Sequence, residues 1–250
     1  MFDGDNRKAF TLAEVLITLG IIGVVAALTI PTLITNYQKK VTVERLREDY
    51  AQILQAAKLY EGETGEDIST FNTQLTPKEF MEQYFMPYLK VVHTCESVRE
   101  CYPNDIPLAI DKKTKIIVSY MLELLNGTYV GVVTSVGGAT FYIDVNGSSK
   151  PNVSGKDIFN LYLFNSGTTG VHSCDMDALA KNVKSGIYPG GYGSCFHPFT
   201  LYKRSELLSP NSGVHRACSS KTTNVSGFSG DACAAVIMKD GWKISKDYPW

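Results

Sequence analysis

The chain lacks most of what would point to a common functional class. Basic residues do not exceed acidic ones: 24 Lys and Arg stand against 25 Asp and Glu, a net charge of −1. That balance argues against the phosphate-neutralising surface that nucleic-acid binding usually needs. Histidine is scarce, at four residues, and no nucleophile with a base and an orienting acid can be picked out, which speaks against a hydrolase of the triad kind. Six cysteines in 250 residues are too sparse for a disulfide mini-scaffold. Their even number and their confinement to positions from Cys95 onward fit pairing in an oxidising compartment. With 44% hydrophobic and 20% charged residues, the chain is neither disordered nor a polytopic membrane protein. No internal repeat is evident. The sharpest absence is local: from Val15 to Gln38 there is no charged side chain.

That gap holds a long apolar run. About 20 apolar residues rising roughly 1.5 Å each cross the roughly 30 Å of bilayer hydrocarbon, so the segment is long enough to span a membrane. A conventional signal peptide would use Arg7 and Lys8 as its charged start and Val25-Ala26-Ala27 as its cleavage site, with the mature chain starting at Leu28. That reading leaves the continuing apolar residues Leu28, Ile30, Leu33 and Ile34 without a purpose, and it does not account for Glu14. A carboxylate one turn into a membrane helix is costly unless it has a partner.

The residues around it, Arg7-Lys8-Ala9-Phe10-Thr11-Leu12-Ala13-Glu14-Val15, resemble the leader signal of type IV pilins and type II secretion pseudopilins. In that family a charged leader is cut off on the cytoplasmic side, and the new N-terminal Phe is methylated. A Glu stands at the fifth mature position. A cut between Ala9 and Phe10 reproduces the spacing, with Ala9 where the family more often has Gly. Pro31 stands where pilins commonly carry a helix-bending proline, and Gly20 with Gly23 lie in the stretch that tends to loosen in assembled filaments. The resemblance implies an inner-membrane protein with a cytoplasmic N-terminus and a periplasmic head that later joins a filament. Its implied partners are a prepilin peptidase, other pilin or pseudopilin subunits and an inner-membrane assembly platform. Lys39 and Lys40 after the segment nearly balance Arg7 and Lys8 before it, so charge alone does not orient it.

Beyond Tyr37 the apolar positions thin to Val43, Leu46, Tyr50, Ile53, Leu54, Ala57 and Tyr60, with charged residues between them. This spacing predicts an amphipathic helix with one face to bury, ending at the Gly62–Gly65 cluster. The expected organisation is a leader over 1–9, a membrane or filament-core helix over 10–36, the amphipathic half of that helix over 37–61 and a globular head over 62–250. The fold class is α+β and pilin-like: a long N-terminal helix packed on an antiparallel sheet, with disulfide-stapled loops. Thr76 as N-cap and Pro77 at the first helical position predict a short helix to Phe85. Strands are expected at 116–120, 128–133, 140–145, 158–164 and 234–238. Asn126-Gly127, Gly137-Gly138 and Asn146-Gly147 mark turns between strands. Residues 165–232 read as surface loops around one short helix near Met176–Lys184.

Sequential pairing, Cys95 with Cys101, Cys174 with Cys195 and Cys218 with Cys233, is the simplest arrangement, although sequence alone does not choose the connectivity. Pilins often carry a disulfide-bounded loop near the C-terminus, and the resemblance makes Cys218–Cys233 its counterpart. The competing use of these residues is zinc, through His172, Cys174, Cys195 and His197, but the spacing matches no specific zinc motif. Asp144-Val145-Asn146-Gly147 followed by Pro151-Asn152 and Gly155-Lys156-Asp157 places oxygen side chains around turns, as a calcium loop does, without the full pattern of an EF-hand. Asp144, Asn146, Asn152 and Asp157 are the candidate ligands. Similar elements recur in pilin-like secretion proteins, and major pseudopilins bind calcium in a head loop. The alternative is an Asn-Gly hairpin held by Asx-turns. The expected function is a structural subunit of a pilus or pseudopilus, not an enzyme. The alternative is a membrane-anchored or secreted binding protein that does not polymerise.

Overall fold

In a computed structural model the described residues are 11–135, 137–164, 186–190, 202–210, 216–221 and 230–250. Helix α1 runs Leu12–Thr64, and the chain divides into two units, Met1–Val41 and Thr42–Trp250.

In the first unit the helix opens on reciprocal bonds between Thr11 and Glu14. The Thr11 backbone N–H and hydroxyl both donate to Glu14 Oε2 at 2.8 Å, and the Glu14 N–H donates to Thr11 Oγ1 at 3.2 Å. This is a capping box, which occupies N–H groups that the first turn cannot pair internally. Along the apolar run, Thr18, Thr29 and Thr35 each turn the hydroxyl back to the carbonyl four residues earlier at 2.9 Å. At these three points the hydroxyl donor is satisfied within the helix, as an apolar surrounding requires. Pro31 lies inside the helix and has no N–H to offer the Ala27 carbonyl. The large apolar side chains of this stretch are open to the surroundings, from Val15 at 41% to Leu12 at 77% exposure.

In the second unit the same helix buries one stripe: Val43, Leu46, Asp49, Ile53, Ala56, Ala57 and Tyr60. The spacing of three and four is that expected of an amphipathic helix. The Gly65 N–H returns to the Glu61 carbonyl at 2.9 Å with φ at +75°, which closes the helix where a residue without Cβ is least strained. The stripe packs on a six-stranded antiparallel sheet in sequential order: β1 Val91–Cys95, β2 Met121–Leu124, β3 Tyr129–Ser135, β4 Gly138–Asp144, β5 Ile158–Phe164 and β6 Ile187–Pro189. One face of the central strands, with Val130, Val132, Phe141, Ile143, Phe159, Leu161 and Leu163, joins Leu46, Ile53 and Tyr60 in the main core. Each such fully buried aliphatic or aromatic side chain contributes about 1.5–3 kcal/mol. The opposite face holds a smaller cluster of Tyr102, Ile116, Val118, Met121, Tyr142 and Ile158 under the Cys95–Cys101 loop.

Helix α2, Pro77–Tyr84, forms with the expected Thr76 cap, the Glu79 N–H donating to Thr76 Oγ1 at 3.3 Å and the Thr76 N–H to Glu79 Oε2 at 2.8 Å. Three expected strands appear as β3, β4 and β5. Residues 116–120 do not form a strand. Ile116, Val118 and Tyr120 alternate inward and Ile117 is 69% exposed, but the ladder begins only at Met121. The expected strand at 234–238 is instead helix α5, Cys233–Lys239, with Cys233 to Ile237 all buried. A short apolar run buried on every side has no periodicity to separate helix from strand. Between these elements lie α3, Val98–Cys101, and α4, Arg204–Leu208. Arg204 ties α4 to the C-terminal segment, pairing with Asp240 and, at 2.7 Å, with Asp247. The Tyr248 hydroxyl donates to the Gly155 carbonyl at 2.6 Å, and Trp250 packs partly buried against the core. The expected helix near 176–184 lies outside the described residues.

Candidate assembly segment and cation loop

Two places in the chain gather the residues singled out by the sequence. The first is the start of α1. Glu14 is exposed on the apolar segment, its carboxylate held toward Thr11. Pro31 follows within the same helix. Ala9 and Phe10, the expected cleavage residues, lie outside the described residues. This 53-residue helix is long and apolar enough to cross a membrane, with none of its most apolar window buried. A helix apolar on all sides, with no covering protein, presents a surface that water does not stabilise.

The second place is the loop from β4 to β5. β4 ends on Asp144 and β5 begins at Ile158 just after Asp157, so the ladder between the strands holds both carboxylates at one end of the sheet. Both are buried, at 1% and 3% exposure. The Tyr102 hydroxyl donates to Asp144 Oδ2 at 2.7 Å and the Asn146 N–H to Oδ1 at 3.2 Å. The N–H groups of Asn152 and Val153 donate to the two oxygens of Asp157 at 2.8 and 2.7 Å. Burial raises the Asp144 carboxyl well above its ordinary value, and the charge of Asp157 adds to this. Burial likewise raises Asp157 to about 6, against the pull of its backbone donors.

The two asparagines complete the loop with acceptors. Asn146 Nδ2 donates to the Ser149 carbonyl at 2.9 Å, and Asn152 Nδ2 to the Ser148 carbonyl at 3.2 Å. These bonds fix each amide, because turning it over would set oxygen against oxygen. The consequence is that Asn146 Oδ1 and Asn152 Oδ1 are buried without a hydrogen-bond partner. Two carboxylates and two idle amide oxygens in one loop, with only neutral donors bonded to the carboxylates, suit a hard cation with oxygen ligands. Among the described residues no group of three or more His, Cys, Asp or Glu side chains is placed to share a metal. The loop's donor set is therefore half amide.

Disulfides join Cys95 to Cys101 and Cys218 to Cys233, as sequential pairing expects. The first closes the short loop carrying α3 and sets Tyr102 immediately after it, so the staple also positions the Asp144 donor. Cys174, Cys195, His172 and His197 lie outside the described residues. Two residues that touch the loop had no motif to mark them: Tyr102, and Arg45, which donates from Nη1 to the Val145 carbonyl at 3.1 Å; Asp49 meets the neighbouring turn instead, accepting from Asn126 Nδ2 at 2.9 Å. Asp49 had a weaker signal, a carboxylate standing on the apolar stripe between Leu46 and Ile53.

With this geometry in place, the comparisons with known proteins fall into two parts. Residues 32–250 match a family described as a family of unknown function, DUF6613. The chain belongs to that family. Residues 4–30 of this DUF6613 chain match the prokaryotic N-terminal methylation motif, so it carries a type IV pilin-like prepilin signal, joined to an α+β pilin-like architecture. That motif marks structural proteins that are processed by a prepilin peptidase and assemble with other pilin subunits. No curated protein and no solved structure matches the DUF6613 chain.

Proposed function

We propose that the protein is a structural subunit of a type IV pilus or a type II secretion pseudopilus. The observation that carries this reading is the exposed apolar first half of α1, headed by Glu14 and covered as far as residue 30 by the methylation motif. Before assembly residues 10–36 anchor the chain in the inner membrane, with the head outside the cytoplasm. Cleavage between Ala9 and Phe10 frees a cationic amine on Phe10. The Glu14 carboxylate of a neighbouring subunit neutralises that amine, which offsets the desolvation either charge meets alone. The apolar helix then exchanges lipid for other helices as the filament core.

Two substitutions separate charge from local capping. Glu14→Gln keeps an acceptor for Thr11 and loses the charge, whereas Glu14→Ala loses both. Both variants are expected to be cleaved and to enter filaments poorly. Normal incorporation of Glu14→Gln would overturn the neutralising role. The same reading includes calcium in the 144–157 loop, held by Asp144, Asn146, Asn152 and Asp157. Calorimetry on the full chain in detergent is expected to give a saturable calcium heat that Asp144→Asn with Asp157→Asn abolishes; no heat from the unaltered chain would remove calcium from the account.

A further inference from the structure

The cation loop does not stand apart from the helix. Arg45 and Asp49 lie one turn apart on α1, and each meets a different Asn-Gly turn at the same end of the sheet. Asp49, wholly buried, accepts from Asn126 Nδ2 at 2.9 Å and from the Thr128 hydroxyl at 3.0 Å, both from the turn between β2 and β3. Arg45 donates to the Val145 carbonyl at 3.1 Å, one residue past Asp144. The Val145 N–H in turn donates to the Asp157 carbonyl at 3.0 Å, so this one residue is held by the helix on one side and by the far arm of the loop on the other. The two turns also touch. Gly147 has φ +62°, and a Cβ there would stand 2.8 Å from the Gly127 carbonyl oxygen, so only glycine allows this approach.

The charges are joined as closely as the backbone. Three buried carboxylates, Asp49, Asp144 and Asp157, share this end of the sheet. The charge of Asp49 acts on Asp144, and Arg45 and Glu48 act on Asp49. On the loop side Lys156 acts near Asp157, and Tyr102 near both loop carboxylates. Arg45 spends its Nη1 bond on a carbonyl and not on any of the three carboxylates.

We propose that Asp49 belongs to the cation network, so that a divalent cation in the 144–157 loop tightens the joint between α1 and the 126–128 turn. This rests on the calcium reading of that loop. A cation there offsets the mutual repulsion of the three carboxylates and lets Asp49 stay ionised while buried. Its bonds to Asn126 and Thr128 are then charge-assisted and stronger. Val145, held from both sides, carries the same constraint through the backbone. Coupling of this kind is reciprocal: if the cation favours the ionised joint, the ionised joint favours the cation.

The test uses the full chain in detergent micelles at neutral pH, with calcium chloride as the probe, and reads binding by calorimetry and the joint by amide hydrogen exchange. Calcium is expected to slow exchange at residues 126–128, outside the loop itself, by about fivefold or more, and Asp49→Asn to weaken calcium binding by about fivefold or more. The exchange measurement needs only the unaltered chain, so it stands even if the variant misfolds. Calcium binding with slowed exchange confined to 144–157, or with unchanged affinity in a folded Asp49→Asn, would overturn the coupling and leave the calcium site standing. No calcium binding to the unaltered chain would overturn the site reading, and the coupling with it.

Discussion

Replacing Asp49 by Asn should stabilise the calcium-free head at pH 8. Burial raises the Asp49 carboxyl from 3.8 to about 6, against the opposing bonds from Asn126 and Thr128. A carboxyl raised on folding contributes stability that is complete below its unfolded value and is lost as pH rises through the folded one. At about 1.4 kcal/mol per pH unit of difference, the ionised Asp49 costs the fold on the order of 3 kcal/mol at pH 8 and nearly nothing at pH 4. Asn has the same shape and keeps an oxygen for Asn126 Nδ2 and the Thr128 hydroxyl, so it removes the cost and retains the bonds. Asp49→Ala also removes the charge but strands both donors, at about 1–3 kcal/mol each, and should gain little or lose. Both tryptophans, Trp242 and Trp250, lie in the second unit, so their fluorescence during urea denaturation in detergent with chelator present reports the head alone. The expected pattern is Asn above wild type at pH 8, the two equal at pH 4, and the pH 8 gap narrowed by calcium. An Asn variant less stable than wild type at pH 8, or a gap of the same size at both pH values, would refute the reasoning.

Two further substitutions test how the head is held. Thr76→Ala removes the acceptor that caps α2 and should cost about 1 kcal/mol in the same urea assay. Cys218→Ser with Cys233→Ser opens a loop whose ends lie 15 positions apart and should cost about 3 kcal/mol, visible as a lower urea midpoint that reducing agent no longer shifts at this site.

Helix periodicity was the most readable feature of the chain. The stripe from Val43 to Tyr60 has the same three-and-four spacing in sequence and in burial because one face meets a core and the other meets water. Thr76 with Pro77 was equally legible, since a cap is a local event that needs no tertiary partner. The central meander was readable from its Asn-Gly and Gly-Gly turns. Residues 116–120 alternate inward and outward like a strand, and what they lack is a ladder partner, which sequence does not display. At 234–238 tertiary burial decides between helix and strand, and a run of Ala, Val and Ile carries no period to reveal it. In the cation loop the four oxygen side chains could be named from their spacing around two turns. Tyr102 and Arg45 reach this loop from 42 and 100 residues away, Asp49 reaches the neighbouring 126–128 turn from 77 residues away, and no local pattern encodes such meetings.

The central claim is that this chain enters a filament as a processed pilin-like subunit, and the N-terminus of the protein in its native membrane fraction tests it most directly. Intact mass together with N-terminal sequencing should give a chain that begins at Phe10 with a methylated amine. A chain beginning at Leu28, or one retaining Met1, would contradict the account, because neither supplies the Phe10 amine that Glu14 is proposed to neutralise.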